Sequence, residues 1–167
     1  MIKNNIRRES YLKFLNTWKN RDLIKVLSGV RRSGKSTLLA MFQQDLKEQG
    51  VQDENIIAIN FEYMEFEELT DYRKLHDYVL SKVDKNKKNY VFLDEIQHVQ
   101  NFEIVDDSLY IRDYIDLYVR GSNAFFLSGE LATLLTGRYI EQHVLPLSFQ
   151  EFKQWHTENN PTIQQLS

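Results

Sequence analysis

Five short segments of the chain are almost wholly apolar, and stretches with helical spacing separate them. The segments comprise residues 23–27, 56–61, 90–93, 115–119 and 143–147. Apolar runs of this length, rather than strictly alternating ones, are typical of strands that are covered by helices on both faces. Strands that alternate with helices along a chain pair in parallel. The pattern therefore predicts an α/β sandwich of three layers around a central, mostly parallel five-stranded sheet.

Three of the intervening stretches carry apolar residues at helical spacing. The first lies in an N-terminal helix within residues 1–20, the second follows the first strand, and the third follows the second strand. Their apolar stripes are, in order, Tyr11, Leu12, Phe14, Leu15 and Trp18; Leu38, Leu39, Phe42 and Leu46; and Tyr72, Leu75, Val79, Leu80 and Val83. Tertiary packing accounts for the aromatic residues among them, so we interpret all three stripes as core faces.

The segment between the first strand and the second helix reads Gly-Val-Arg-Arg-Ser-Gly-Lys-Ser over residues 29–36. It fits the P-loop (Walker A) pattern, in which glycines let the backbone surround a phosphate at the positive end of a helix. We therefore predict a P-loop NTPase in which Lys35 reaches the β and γ phosphate oxygens and Ser36 ligates Mg²⁺. The predicted nucleotide-binding residues are Gly29, Val30, Arg31, Arg32, Ser33, Gly34, Lys35, Ser36 and Thr37.

The third strand ends in two adjacent carboxylates, Asp94 and Glu95. Strands end at the surface, so two acids at this point can be ordinary surface residues. A P-loop, however, needs a partner that holds magnesium and a base that polarises water. We therefore interpret the strand as Walker B, with Asp94 in the magnesium shell and Glu95 as the group that polarises the attacking water.

The fourth strand leads into a Gly-Ser-Asn turn at residues 121–123. Ser122 or Asn123 could orient the attacking water or contact the γ-phosphate, while a plain turn at Gly121 is the alternative. His98, just after the paired acids, is interpreted as a surface or packing residue without chemistry.

Composition narrows the class of protein further. The chain has 167 residues and no cysteine, which excludes disulfides, thiolate metal sites and cysteine nucleophiles. The four histidines are too far apart in sequence to suggest a zinc site, so a metal ion would be held by oxygen. No apolar run approaches the roughly 20 residues that span a bilayer, and the first residues lack an apolar signal region. We expect a cytoplasmic protein without a membrane partner.

Charge is distributed unevenly along the chain. Residues 1–36 carry ten Lys/Arg and two Asp/Glu, whereas the remaining residues carry eleven and twenty-two. A basic front end suits a phosphate or nucleic-acid surface. Cations of the P-loop and solvated charges on helices also explain the basic front end, and we prefer that interpretation. A nucleic-acid partner therefore has no further support in the sequence.

Together, several motifs resemble one family over nearly the whole chain. They are the P-loop after Lys-Val-Leu-Ser at 25–28, Leu-Asp-Glu-Ile-Gln at 93–97, Gly-Ser-Asn at 121–123, Leu-Ser-Gly-Glu-Leu at 127–131, Gly-Arg at 137–138 and Leu-Pro-Leu-Ser-Phe-Gln-Glu-Phe at 145–152. This combination resembles the prokaryotic AAA-type ATPases whose ATPase module is usually followed by a winged helix and a nuclease-like domain of unknown function.

The resemblance implies an ATPase whose sensor strand lies between the P-loop strand and the strand that ends in Asp94. It implies Ser122 as the sensor and Arg138 as an arginine finger that would act in a homo-oligomer, although Arg138 also suits a turn with a solvated cation. Arg120 departs from the family, which commonly has a small hydroxyl residue there. The expected organisation is an ATPase domain at 1–152 and the start of a C-terminal extension at 153–167, with the lid, winged helix and nuclease-like domain outside this chain.

The leading function is hydrolysis of ATP with Mg²⁺, with Glu95, Lys35, Ser122 and Arg138 as the catalytic residues. A GTPase is disfavoured because the chain has no Asn-Lys-x-Asp segment for selecting guanine. A small-molecule kinase is an alternative enzyme, but adjacent acids suit water activation better. A nucleotide-dependent switch with negligible hydrolysis is the alternative from a different class.

Overall fold

The computed structural model describes residues 6–29, 34–122 and 130–159. These residues form five strands: β1 (Ile24–Ser28), β2 (Ile56–Asn60), β3 (Asn89–Asp94), β4 (Ile115–Arg120) and β5 (Tyr139–His143). The α-helices are α1 (Glu9–Trp18), α2 (Lys35–Glu48), α3 (Tyr72–Lys82), α4 (Phe102–Tyr110), α5 (Glu130–Leu134) and α6 (Phe149–Asn159). Short 3-10 helices cover Asp53–Asn55, Met64–Thr70 and Ile96–His98.

The five strands form one sheet in the order β2-β3-β4-β1-β5, and every neighbouring pair is parallel. The predicted α/β class and central sheet are confirmed, and the sheet is wholly rather than mostly parallel. Strand β4 lies between β1 and β3, as the family resemblance implied. All carboxyl ends therefore meet at one side of the sheet, which places Gly29, after β1, and Asp94, at the end of β3, on that side.

The first four strands begin and end within one residue of their predicted bounds, but the fifth prediction was wrong. The apolar run at 143–147 is not a strand; β5 is the more polar segment Tyr139–His143. Because β5 is an edge strand, its residues are half-buried or exposed, and its apolar content is low. The Val144 backbone N–H donates to the Ser28 carbonyl oxygen at 2.8 Å, and beyond it Leu145 and Leu147 are exposed.

Helices cover both faces of the sheet and produce the three predicted layers. Helices α1 and α2 pack on one face, where Phe42 contacts the stacked rings of Phe92 and Tyr118. Apolar residues of α3, α4 and α5 cover the other face. Helix α4 was not predicted, because the buried Asp106 interrupts its apolar stripe.

A buried ion pair joins β1 to β4 near their amino ends. The Lys25 ammonium group contacts the Asp116 carboxylate, and both residues are almost wholly buried. The second oxygen of Asp116 accepts hydrogen bonds from the Asn20 backbone N–H at 3.0 Å and from the Tyr118 hydroxyl at 2.7 Å. Both charges are therefore paired and hydrogen-bonded, which offsets the cost of burying them between the two strands.

Among the described helices, none has both the length and the apolar character that crossing a membrane requires.

Candidate functional site

The P-loop lysine lies at the start of α2 and points back toward the loop. Gly34 adopts a left-handed conformation with φ of 86°, which turns the chain into the helix at Lys35. Lys35 is 4% exposed, and its Nζ donates to the Gly29 carbonyl oxygen at 2.8 Å. Gly29 itself has φ of 145°, in a region that favours glycine. The two predicted glycines thus set the turn that aims a buried cation at the loop.

The hydroxyl of Ser36 reaches the acid at the end of β3. Its Oγ donates to Asp94 Oδ2 at 3.3 Å, although the two residues are 58 positions apart in sequence. This contact exists because β1 and β3 end at the same edge of the sheet, on either side of β4. A hydroxyl and a carboxylate are the oxygen donors that Mg²⁺ prefers. The structure thus brings together two oxygen groups, and their role as magnesium ligands stays a prediction.

Glu95 leaves the strand in an unusual backbone conformation. Its φ of 61° and ψ of 49° lie in the left-handed region, which costs a non-glycine residue about 1–2 kcal/mol. Non-glycine residues in this region cluster at functional sites. Both oxygens of the Glu95 carboxylate are bound: Oε1 accepts from Arg120 Nη2 at 2.8 Å, and Oε2 accepts from Gln97 Nε2.

Arg120, the last residue of β4, bridges both acids. Its Nε donates to Asp94 Oδ1 while its Nη2 donates to Glu95, and its side chain is only 8% exposed. In the register of the sheet, Arg120 lies opposite Leu27 of β1 and opposite Asp94 of β3. The guanidinium thus lies between the P-loop strand and the acids.

The charged groups of the site shift one another's pKa values. Burial lowers the pKa of Lys35 and the nearby Arg120 cation lowers it further, while Glu95 and Asp94 act in the opposite direction. Burial raises the pKa of Asp94, against the opposing effect of the Arg120 charge and its hydrogen bond. The two cations and two carboxylates therefore form one electrostatic unit.

An open cleft of about 980 Å³ lies above these groups. It is lined by Gly34, Lys35, Ser36, Thr37, Phe61, Glu62, Glu95, Gln97, His98, Arg120 and Ser122. Predicted site residues from three separate segments therefore face one space. His98, to which we assigned no chemistry, is an exposed residue of this lining.

Ser122, the predicted sensor, lies at the cleft beside Gln97. Its backbone N–H donates to Gln97 Oε1 at 3.4 Å, and Gln97 also holds Glu95. Gln97 thus connects the turn after β4 to the carboxylate after β3. The predicted positions Val30, Arg31, Arg32, Ser33 and Asn123 lie outside the described residues.

Arg138 lies away from the cleft, on the side of the sheet where the strands begin. Its carbonyl oxygen accepts from the Ile24 N–H, at the first residue of β1, whereas Gly29 follows the last. A five-residue strand spans about 13 Å between its end Cα atoms. The Arg138 guanidinium pairs with Asp107 Oδ1 of α4 at 2.5 Å and donates to the Leu134 carbonyl oxygen at 3.3 Å.

Two residues of the site were missed as site residues by sequence reasoning. Arg120 was recognised only as a departure from the family pattern, and Gln97 only as part of a motif. A signal was available for Arg120, because a charged residue that ends an apolar strand beside an acidic strand end needs an anionic partner. Gln97 carried no such signal, because its role depends on the turn that Glu95 makes.

Comparison with known proteins places the chain in a family. The family model of the AAA domain matches residues 21–153. An uncharacterised protein of Haemophilus influenzae is 44% identical over 153 residues, which is 91% of this chain and 38% of the relative. An uncharacterised protein of Methanocaldococcus jannaschii is 36% identical over 141 residues, 81% of this chain and 29% of the relative. The chain therefore spans less than two fifths of the length of these curated relatives.

Solved structures show the same fold at low sequence identity. C. elegans PCH-2 superposes with a TM-score of 0.58 at 20% identity, over 94% of this chain and 46% of that one. S. cerevisiae Hsp104, in its complex with casein, has a TM-score of 0.63 at 16% identity, over 92% of this chain and 30% of that one. With its parallel sheet, its P-loop and a family match over most of its length, the chain belongs to the AAA domain family.

Proposed function

We propose that the chain binds ATP with Mg²⁺ in this cleft and hydrolyses it to ADP and phosphate. The observation that carries the proposal is the hydrogen bond between Ser36 and Asp94, because it joins the P-loop to the acidic strand end. Lys35, buried at the start of α2, supplies positive charge for the phosphates. Ser36 and Asp94 would hold magnesium, which neutralises charge on the phosphate oxygens when it is bound.

In this reaction the oxygen of a water molecule attacks the γ-phosphorus while the bond to the β–γ bridging oxygen breaks. Glu95 accepts the proton that the water loses, and Lys35 stabilises the charge that develops on the leaving oxygen. Ser122 orients the water or the γ-phosphate from the turn after β4. Glu95 must first give up a hydrogen bond, because both of its carboxylate oxygens are bound.

The hydrogen bonds to both oxygens of Glu95 favour a second candidate function. If Glu95 keeps its contacts with Arg120 and Gln97, the domain binds ATP as a switch and hydrolyses it negligibly. Nucleotide binding and phosphate release, measured on one sample, separate the two functions. Binding together with steady phosphate release supports the ATPase, and binding without release supports the switch.

The variant Glu95→Gln tests the chemistry directly. It retains the shape of the side chain and one acceptor oxygen but removes its charge, so turnover should fall by about 10² to 10⁴ while ATP binding persists. Glu54→Gln is the matched control, because Glu54 is an exposed residue before the amino end of β2, paired with Lys87 at 4.0 Å. Hydrolysis by Glu95→Gln at the wild-type rate would show that Glu95 is only a strand-end acid.

We extend the proposal to Arg138 and to the domains that the family resemblance implies. We infer that Arg138 completes the site of a neighbouring copy, since its position at the far edge of the sheet suits a contact in trans. The winged helix and nuclease-like domain implied by the family resemblance are proposed for the longer protein, and its cytoplasmic location likewise.

A further inference from the structure

Arg120 lies among the groups of the proposed reaction but has no role in the steps described above. It ends β4 at the edge where β1 leads into the P-loop and β3 ends in the acids, and it lines the cleft together with Lys35 and Ser36. Two buried cations therefore face one cleft from two different strand ends. Such convergence of cations is typical of sites that bind a multiply charged anion.

The present partners of Arg120 are groups that the proposed reaction needs elsewhere. Nε is bonded to Asp94, which would hold magnesium, and Nη2 is bonded to Glu95, which would accept a proton from water. Removing the anionic partners of a buried guanidinium strongly destabilises a protein. Arg120 consequently needs a new anion at the moment when the two carboxylates take up their roles.

We propose that Arg120 binds the terminal phosphate of ATP from within the same chain, exchanging the carboxylates of Asp94 and Glu95 for the γ-phosphate. The inference rests on the proposed nucleotide binding. The planar guanidinium presents paired N–H groups that match a phosphate as well as they match a carboxylate. In the described part of the chain, Nη1 donates to no recorded acceptor, so one nitrogen is available before any bond breaks.

This exchange makes Arg120 a residue that distinguishes ATP from ADP. ADP lacks the γ-phosphate, so with ADP bound the guanidinium keeps its carboxylate partners and Glu95 stays occupied. A purely structural Arg120 would instead neutralise the two acids whichever nucleotide is present. The two roles therefore predict different ratios of ATP to ADP affinity when the charge of Arg120 is removed.

The experiment compares calorimetric affinities for Mg²⁺ complexes of a non-hydrolysable ATP analogue and of ADP. For Arg120→Gln we expect the analogue to bind about tenfold or more weakly, while ADP affinity changes by less than about threefold. Arg120→Lys, which retains the charge but loses the fork, should lie in between. Arg112→Gln is the matched control, because Arg112 follows α4 and donates to Ser108, away from the cleft.

The double variant Glu95→Gln/Arg120→Gln separates phosphate binding from neutralisation of the acids. If Arg120 binds the γ-phosphate, removing the Glu95 charge does not restore the preference for the ATP analogue. Equal losses for both nucleotides in Arg120→Gln, or a preference restored in the double variant, would overturn the proposal. If the wild-type chain binds neither nucleotide, it is the proposed function that fails instead.

A measurement on the unchanged protein covers the case in which Arg120→Gln does not fold. In protein labelled with ¹⁵N-arginine, the Nε–H resonance of Arg120 can be assigned by its loss in Arg120→Lys. The ATP analogue with Mg²⁺ should shift this resonance, because Nε leaves Asp94, whereas ADP with Mg²⁺ should leave it nearly unchanged. An identical resonance with both nucleotides would refute the exchange.

Discussion

Replacing Lys35 by methionine tests the P-loop through binding and stability at once. The substitution retains an unbranched side chain of similar length but removes a cation that is 4% exposed and donates to Gly29 at 2.8 Å. A charge-assisted hydrogen bond contributes about 1.5–3 kcal/mol, so Mg²⁺-ATP should bind about 10- to 150-fold more weakly. Stability without nucleotide should be unchanged or higher, because burial lowers the pKa of Lys35 and folding therefore disfavours its charged form.

Calorimetric titration gives the affinity, and thermal unfolding without nucleotide gives the stability. Lys47→Met is the matched control: Lys47 is in the last turn of the same helix, 42% exposed in its side chain and 3.3 Å from Asp53. Its loss should leave ATP affinity unchanged. If folded Lys35→Met binds Mg²⁺-ATP as tightly as the wild type, the P-loop match is accidental. A large loss of stability would instead show that Lys35 has a structural role.

Two further predictions concern the far edge of the sheet and a buried acid. If Arg138 acts in trans, specific activity should rise with protein concentration, and the hydrolysis rate of Arg138→Ala should fall by about 10³–10⁵. Mixing Arg138→Ala with Lys35→Ala should restore some hydrolysis. Asp107→Asn is the control for loss of the ion pair, and an Arg138→Ala rate equal to wild type excludes the role. Asp106 is fully buried with neither carboxylate oxygen hydrogen-bonded in the described structure, and burial raises its pKa well above the usual value. Above the ordinary Asp pKa the unfolded chain then binds fewer protons than the folded one, so stability falls by up to about 1.4 kcal/mol per pH unit until Asp106 itself ionises. Urea unfolding from pH 4 to 8 should show Asp106→Asn gaining stability over wild type as pH rises; the exposed Asp113→Asn is the control, and a difference that is constant with pH would contradict the assignment.

The local pattern of apolar residues predicted the first four strands of the sheet but not the edge strand β5. Strands β1, β3 and β4 are buried on nearly every residue, so their apolar runs were unmistakable. Strand β5 has one neighbour and half-exposed residues, and the apolar residues after it misled the prediction toward 143–147. Of those residues Val144 is buried, but Leu145 and Leu147 are exposed. Apolarity alone does not distinguish such a segment from a buried strand.

Some residues of the site could be predicted from local sequence motifs, whereas others depend on contacts between distant segments. The roles proposed for Lys35 and Asp94 follow from motifs that are contiguous in sequence, and the structure places both at one edge of the sheet. The bridge made by Arg120 requires the strand order, because only β4 lying between β1 and β3 brings it against both acids. No motif contains that order, although the family resemblance implied it. The sequence therefore identified Arg120 as unusual without identifying its partners.

The pairing of charges in the resting cleft connects substrate arrival to the release of the proposed base. Lys35 and Arg120 contribute two positive charges, Asp94 and Glu95 contribute two negative ones, and the ion pairs that Arg120 makes leave both acids paired. These ion pairs offset the cost of burying the charges of Arg120, Asp94 and Glu95. In the proposed exchange, a nucleotide phosphate brings additional negative charge, which competes with Glu95 for Arg120 and thereby frees one carboxylate oxygen. Glu95 then becomes available only when an anion has reached the guanidinium, so hydrolysis would wait for a correctly placed γ-phosphate.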